Sequence, residues 1–150
     1  MYLSEHFTLA EVTNSETAAR KGIDNTPPSS LNNTLAKTAT GLEKVRALLG
    51  NVPLHVNSWY RCPELNAAIG STNHSQHLLG EAVDFICPAY GTPFEVCEKI
   101  LANANLIRYD QLIFEYGWVH ISWGAKERRQ ALTLGKHGTY IQGISYAKSK

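Results

Sequence analysis

Leu31, Leu35, Ala39, Leu42, Val45 and Leu49 recur at steps of three and four. That is the spacing of one buried helical face, and it predicts a helix over 31–49. Ser29 or Ser30 is the expected N-cap and Gly50 the expected stop. A second helix is predicted from Thr92-Pro93-Phe94-Glu95, a capping box with proline at the first helical position. Its inward face reads Phe94, Cys97, Ile100, Leu101 and Ala104. Thr8 and Glu11 have the same capping-box spacing, and Phe7 and Val12 are placed to staple the start of a short helix. Residues 63–68 read as one or two further turns. Residues 13–30 are polar, end in Pro27-Pro28-Ser29-Ser30, and are expected to be an ordered surface connection.

Strands are predicted where apolar residues alternate or run together, at 54–58, 81–87, 110–116 and 118–123. The last two are joined at Gly117 by a tight hairpin. Residues 131–134 and 139–144 form an expected second hairpin around 135–138. About three helices and five or six short strands give an α+β fold, with helices packed on a mainly antiparallel sheet.

A chain of 150 residues is one domain's worth. The expectation is a single domain over 1–150, with 1–30 an extension packed on it and 125–150 a basic hairpin and tail. With 43% hydrophobic and 18% charged residues, disorder, collagen and coiled coil are excluded. No apolar run approaches the ~20 residues of a membrane span, so no membrane insertion is expected. Met1 to His6 lack the basic start and apolar stretch of a signal peptide, so the chain is expected to stay in the cytoplasm of the cell that makes it. The net charge of +1 gives no reason to expect nucleic acid as a partner. Charge is uneven, however. Residues 125–150 carry six Lys/Arg against the single acid Glu127, and 1–124 carry eight against twelve acids. A basic tail is either a solvated surface or an attraction for an anionic one. No heptad is visible, and a monomer is expected. Cys62, Cys87 and Cys97 form no C-x-x-C pair and no disulfide framework, and Cys97 falls on a core position.

Among six histidines, two stand out. His77 ends a polar loop, and Asp84 follows inside the apolar strand Ala82-Val83-Asp84-Phe85-Ile86. A carboxylate there is costly to bury as a free charge. It needs a cation, a metal or a cluster of donors such as loop amides. In Trp118-Val119-His120-Ile121-Ser122-Trp123, alternation puts Trp118, His120 and Ser122 on one face and Val119, Ile121 and Trp123 on the other. If the second face meets the helices, His120 points into a cleft, with Glu115 just across the Gly117 turn. Two histidines and one carboxylate from separate elements make a three-ligand zinc site with an open fourth position, the catalytic arrangement. A free carboxylate beside it serves as general base.

Ser75-x-His77-x-x-Gly80-x-Ala82-x-Asp84 fits the signature S-x-H-x-x-G-x-A-x-D at every fixed position. It resembles the zinc D-Ala-D-Ala carboxypeptidase and L-alanyl-D-glutamate endopeptidase family, a metallopeptidase family with the Hedgehog/DD-peptidase fold. Trp118-Val119-His120-Ile121-Ser122 is similar to that family's second motif. Asn57-Ser58-Trp59-Tyr60-Arg61 resembles its N-S-G-Y-R segment, with Trp59 where glycine is usual. Leu65-Asn66 and Gly70-Ser71 also fit, and residues 3–28 are similar to the start of small phage-encoded members.

The resemblance implies one Zn2+ ligated by His77, Asp84 and His120. It implies a zinc-bound water attacking a peptide bond of bacterial peptidoglycan, in the manner of a phage endolysin acting on the wall after release. Arg61 would hold a substrate carboxylate or the oxyanion, which needs a fixed fork of donors. Ser75 and Gln76 would shape the site, and Trp59 and Tyr60 would line the substrate pocket. Several relatives carry the base three residues before the last histidine, where this chain has Gly117. Glu115 is therefore the expected base and Asp110 the weaker candidate. His74 falls at a variable position and is left out, and His55 is expected to pack or to support a ligand. Two rivals are a non-catalytic zinc-containing binding module, as in Hedgehog signalling domains, and a wall glycosidase using Glu81 and Glu115. The second leaves His77, Asp84 and His120 unexplained.

Overall fold

A computed structural model describes residues 1–146, and Lys148 and Lys150 of the expected basic tail lie outside them. The described chain forms six helices: α1 (Leu9–Thr13), α2 (Glu16–Lys21), α3 (Asn32–Leu48), α4 (Pro63–Ala68), α5 (Pro93–Ala102) and α6 (Ala104–Ile107). Six strands, β1 (His55–Ser58), β2 (Ala82–Ile86), β3 (Gln111–Phe114), β4 (Val119–Ser122), β5 (Gln130–Leu134) and β6 (Tyr140–Gln142), make one sheet in the order β1-β2-β4-β3-β5-β6. Every pairing is antiparallel except β3 with β5. The fold is α+β, as the pattern predicts.

Local chemistry explains most elements. Both expected capping boxes are present, Thr8 with Glu11 and Thr92 with Glu95. Three expectations need correcting. Within 13–30 the chain forms α2, capped by Ser15 and ended by Gly22 in the left-handed region, which glycine enters without strain. Neither Ser29 nor Ser30 caps α3, because a 3-10 turn over Ser29–Leu31 feeds the helix instead. In α5, Leu101 is exposed and Val96 takes its place in the core.

The sheet has two unlike faces. Val83, Phe85, Leu112, Phe114, Val119 and Ile121 point to the side covered by α3 and α5 and are buried there. The alternate positions, Asp84, Ile113 and His120, point the other way. Registry sets them in one row across the sheet: Ser58 opposite Asp84, Asp84 opposite His120, His120 opposite Ile113, Ile113 opposite Leu132. The α3 side is closed by Trp123, whose indole N–H donates to the Ile107 carbonyl at 3.0 Å. That indole occupies the place a side chain at Gly41 would take, so a glycine inside α3 is offset by close packing.

Candidate metal and catalytic centre

His77 lies in a 3-10 turn over Gln76–Leu79. Ser75 Oγ accepts from the His77 backbone N–H at 3.2 Å, and Gly80 ends the turn in the left-handed region. The Gly80 carbonyl accepts from Trp59 Nε1 at 3.1 Å and from Thr38 Oγ1 at 2.8 Å, which locks the turn onto the core. The imidazole is buried, with Nδ1 2.6 Å from the Trp59 carbonyl. A carbonyl only accepts, so Nδ1 carries the proton and Nε2 is left with its lone pair. Nε2 is 3.3 Å from Asp84 Oδ2 but has no hydrogen-bond partner among the described residues. An orphaned buried acceptor is costly unless something electrophilic meets it.

Asp84 and His120 are cross-strand neighbours, with His120 Nδ1 2.9 Å from Asp84 Oδ1. Burial works against the charged carboxylate of Asp84, but the two imidazoles prevail and hold its carboxyl far below the ordinary range. Burial likewise opposes a charged His120, yet Asp84 raises it, whereas His77 is lowered, chiefly by burial. The ligating atoms of His77, Asp84 and His120 all lie within 4.8 Å of one another. Two nitrogens and a carboxylate oxygen converging around an unsatisfied lone pair fit a zinc ion. The Nδ1 bond to a backbone carbonyl is the outer-shell contact that orients a ligating histidine.

These side chains floor a cleft of about 770 Å³. Glu115 lines it from the end of β3, half-buried, and Trp118 Nε1 donates to its Oε2 at 3.0 Å. Burial raises the Glu115 carboxyl above its ordinary value and the Asp84 charge adds to this. The hairpin that sets this position has its left-handed residue at Tyr116, φ +63°, and not at Gly117. Arg61 lines the same cleft, with a buried Nε that has no hydrogen-bond partner among the described residues. Burial lowers its guanidinium, which Asp84 and Glu115 partly offset. The Arg61 backbone N–H donates to the His77 carbonyl at 3.1 Å, which ties the two loops together.

Ser75, Gln76, His77, Asp84, Glu115, His120 and Arg61 are thus brought to one cleft. Trp59 and Tyr60 are not. Trp59 is fully buried, edge-on to Phe7 at 6.4 Å, and its indole braces the Gly80 turn, so it is a core residue and no wall for substrate. Tyr60 is buried too and faces a neighbouring pocket beside Asn14 and Ser58. Asp110 is tied to Arg128 and Gln76 and does not line the cleft, and neither does Glu81. His55 is exposed on β1, where it supports no ligand. The sequence reading missed Trp118 as the partner of Glu115, although alternation already placed it on the face of His120. It also missed Arg128, Leu132 and Tyr140, which supply another wall of the cleft.

The two-histidine, one-carboxylate trio with a separate acid beside it has the donor set that a hydrolytic metal centre uses. The model of the Peptidase M15 family matches residues 5–122, and the chain belongs to that family. Its members are zinc-dependent metallopeptidases, and the trio is where this chain would hold the metal. No curated protein matches the chain. Arg128, Leu132 and Tyr140 lie beyond the matched residues.

Proposed function

We propose that this protein hydrolyses a peptide bond of bacterial peptidoglycan, in a stem peptide or a cross-link, and acts as a phage endolysin. The observation that carries the peptidase reading is Glu115, a half-buried acid in one cleft with the His77, Asp84 and His120 trio and Arg61. A non-catalytic binding module of this fold has no use for such an acid. The wall as substrate rests on the likeness of the Ser75–Asp84 and Asn57–Arg61 segments to wall carboxypeptidases and endopeptidases. Made in the cytoplasm and released at lysis, a monomer of this size would reach the wall by diffusion.

Zinc held by His77, Asp84 and His120 would polarise the scissile carbonyl and acidify a water. Glu115 takes the proton of the attacking water and passes it to the leaving amine. Its raised carboxyl suits that exchange better than an ordinary surface acid does. Trp118 holds the carboxylate in place. The fork of Arg61 holds the carbonyl oxygen as charge develops on it.

The test is mass spectrometry of purified peptidoglycan incubated with the protein, in zinc and in chelator. New peptide ends that appear only with zinc are expected, and they identify the bond. Zinc-loaded protein that leaves every wall preparation intact would overturn the reading in favour of a binding module.

A further inference from the structure

The cleft has a second guanidinium that the proposed chemistry does not use. Arg128 Nε and Nη2 donate to Asp110 Oδ1 and Oδ2 at 2.7 and 3.0 Å, and its backbone N–H donates to Oδ1 at 3.1 Å. The Asp110 side chain is only 3% exposed, whereas that of Arg128 is 46% exposed. Gln76 Nε2 also donates to Asp110, at 2.9 Å, and a side chain at Gly124 would collide with both groups. Asp110 therefore occupies one edge of the guanidinium and fixes its plane. The Nη1–Nη2 edge remains on a residue that lines the cleft. A planar fork with one edge anchored is preorganised for bidentate contact with a carboxylate.

Register gives the distance. His120 pairs with Ile113, and Asp110 immediately precedes the first residue of β3, Gln111. From the row of the metal ligands to Asp110, which holds the guanidinium, is three residues along the chain, roughly 10 Å at about 3.3 Å per residue. An extended peptide bound along the strand advances at the same rate. We infer that Arg128 is an anion subsite, taking a carboxylate that the peptide substrate carries within about three residues of the scissile bond. Arg61 meets the reacting carbonyl, and Arg128 reads the substrate's charge further along. The wall thus contributed by the segment after residue 122 makes the cleft selective for acidic over amidated peptides. This inference rests on the peptidase reading.

The test is calorimetric binding of synthetic stem peptides to the zinc-loaded protein, amidating one carboxylate at a time, with cleavage followed in parallel. One amidation is expected to weaken binding about tenfold, the scale of a lost hydrogen bond to a charged group. Arg128→Gln should bind that acid and its amide alike. Arg128→Lys keeps a charge beside Asp110 but not the fork, and should fall between. Melting temperature and zinc content of each variant show whether it is folded. Wild-type protein that binds every amide as tightly as the acid overturns the inference without any variant, and so does a folded Arg128→Gln that keeps the tenfold difference. Wild-type protein that cleaves acid and amide equally well removes the subsite and leaves the peptidase standing. Protein that prefers the acid in binding but cleaves neither does the reverse.

Discussion

Two aspartates, Asp84 and Asp110, have side chains only 13% and 3% exposed and are treated differently by the same fold. Asp110 is satisfied: a guanidinium takes both oxygens, and a backbone N–H and the Gln76 amide complete its partners. Asp84 faces two imidazoles, one of which keeps a buried nitrogen with no hydrogen-bond partner among the described residues. A carboxylate with full partners reads as structure. A carboxylate set among incompletely satisfied donor atoms, within ligating distance of one another, reads as a place for a metal. Burial alone does not tell the two apart; the accounting of lone pairs does.

The comparison breaks most sharply at Asp84. Asp84→Asn should lose zinc affinity by more than the roughly 10–100-fold that loss of an outer-shell partner costs, and hydrolysis with it. Competition against a chelator of known affinity measures this. Unchanged affinity would mean that Asp84 is no ligand. Next in size is Glu115→Gln, which should retain zinc while hydrolysis falls roughly 10²–10⁴-fold, the usual worth of a general base. A variant that kept its turnover would hand the role to another group.

Asp110→Asn should do the opposite: zinc uptake unchanged, stability reduced. The pair is half-exposed on the arginine side, so the expected loss is about 1–2 kcal/mol, or several degrees of melting temperature. Its pH dependence has a definite sign. Burial opposes ionisation of Asp110, but Arg128 prevails and the folded carboxyl is depressed. The stabilisation is therefore complete above the unfolded value of about 3.9 and is lost as pH falls through the folded value. Urea titrations of both proteins should show the deficit at pH 7 and its closure in acid. A deficit that grew in acid would reverse the assignment.

The contrast also shows what a sequence makes legible. The Thr92–Glu95 cap, the proline after it and the alternation Val119, His120, Ile121 depend on neighbours a few residues away, and all read correctly. So did the facing of His120, because Val119 and Ile121 on either side fix which face it takes, whereas the nearly continuous apolar run around Asp84 left its face unassigned. Helix α2 was missed because it buries only Ala18 and has no apolar period to see. Trp59 was misplaced because a residue at a strand end has no periodicity to fix its side. The tryptophan standing where glycine is usual turned out to brace the Gly80 turn from inside the core. Arg128 was invisible as a cleft residue because its partner lies 18 positions away, just before β3. No local pattern encodes that pairing.

The smallest effect sharpens the comparison furthest, because it touches an acid that is neither fully satisfied nor a ligand. Trp118 Nε1 gives Glu115 its hydrogen bond at 3.0 Å, at a turn exposed to solvent on one side. Trp118→Phe keeps a ring there and removes only the donor. One such bond to a carboxylate is worth about 1–2 kcal/mol, so turnover should fall about five- to thirtyfold with zinc content intact. The bond also favours the charged acid, and Trp118 is among the groups that pull the Glu115 carboxyl down against burial. Without it that carboxyl rises further. The acid limb of the pH–rate profile should then move to higher pH in Trp118→Phe, because Glu115 must be ionised to accept a proton. A purely structural role for Trp118 would lower the rate and leave that limb where it was. If the limb stays, the indole only packs the turn, and the geometry of the base is set by the β3–β4 hairpin alone.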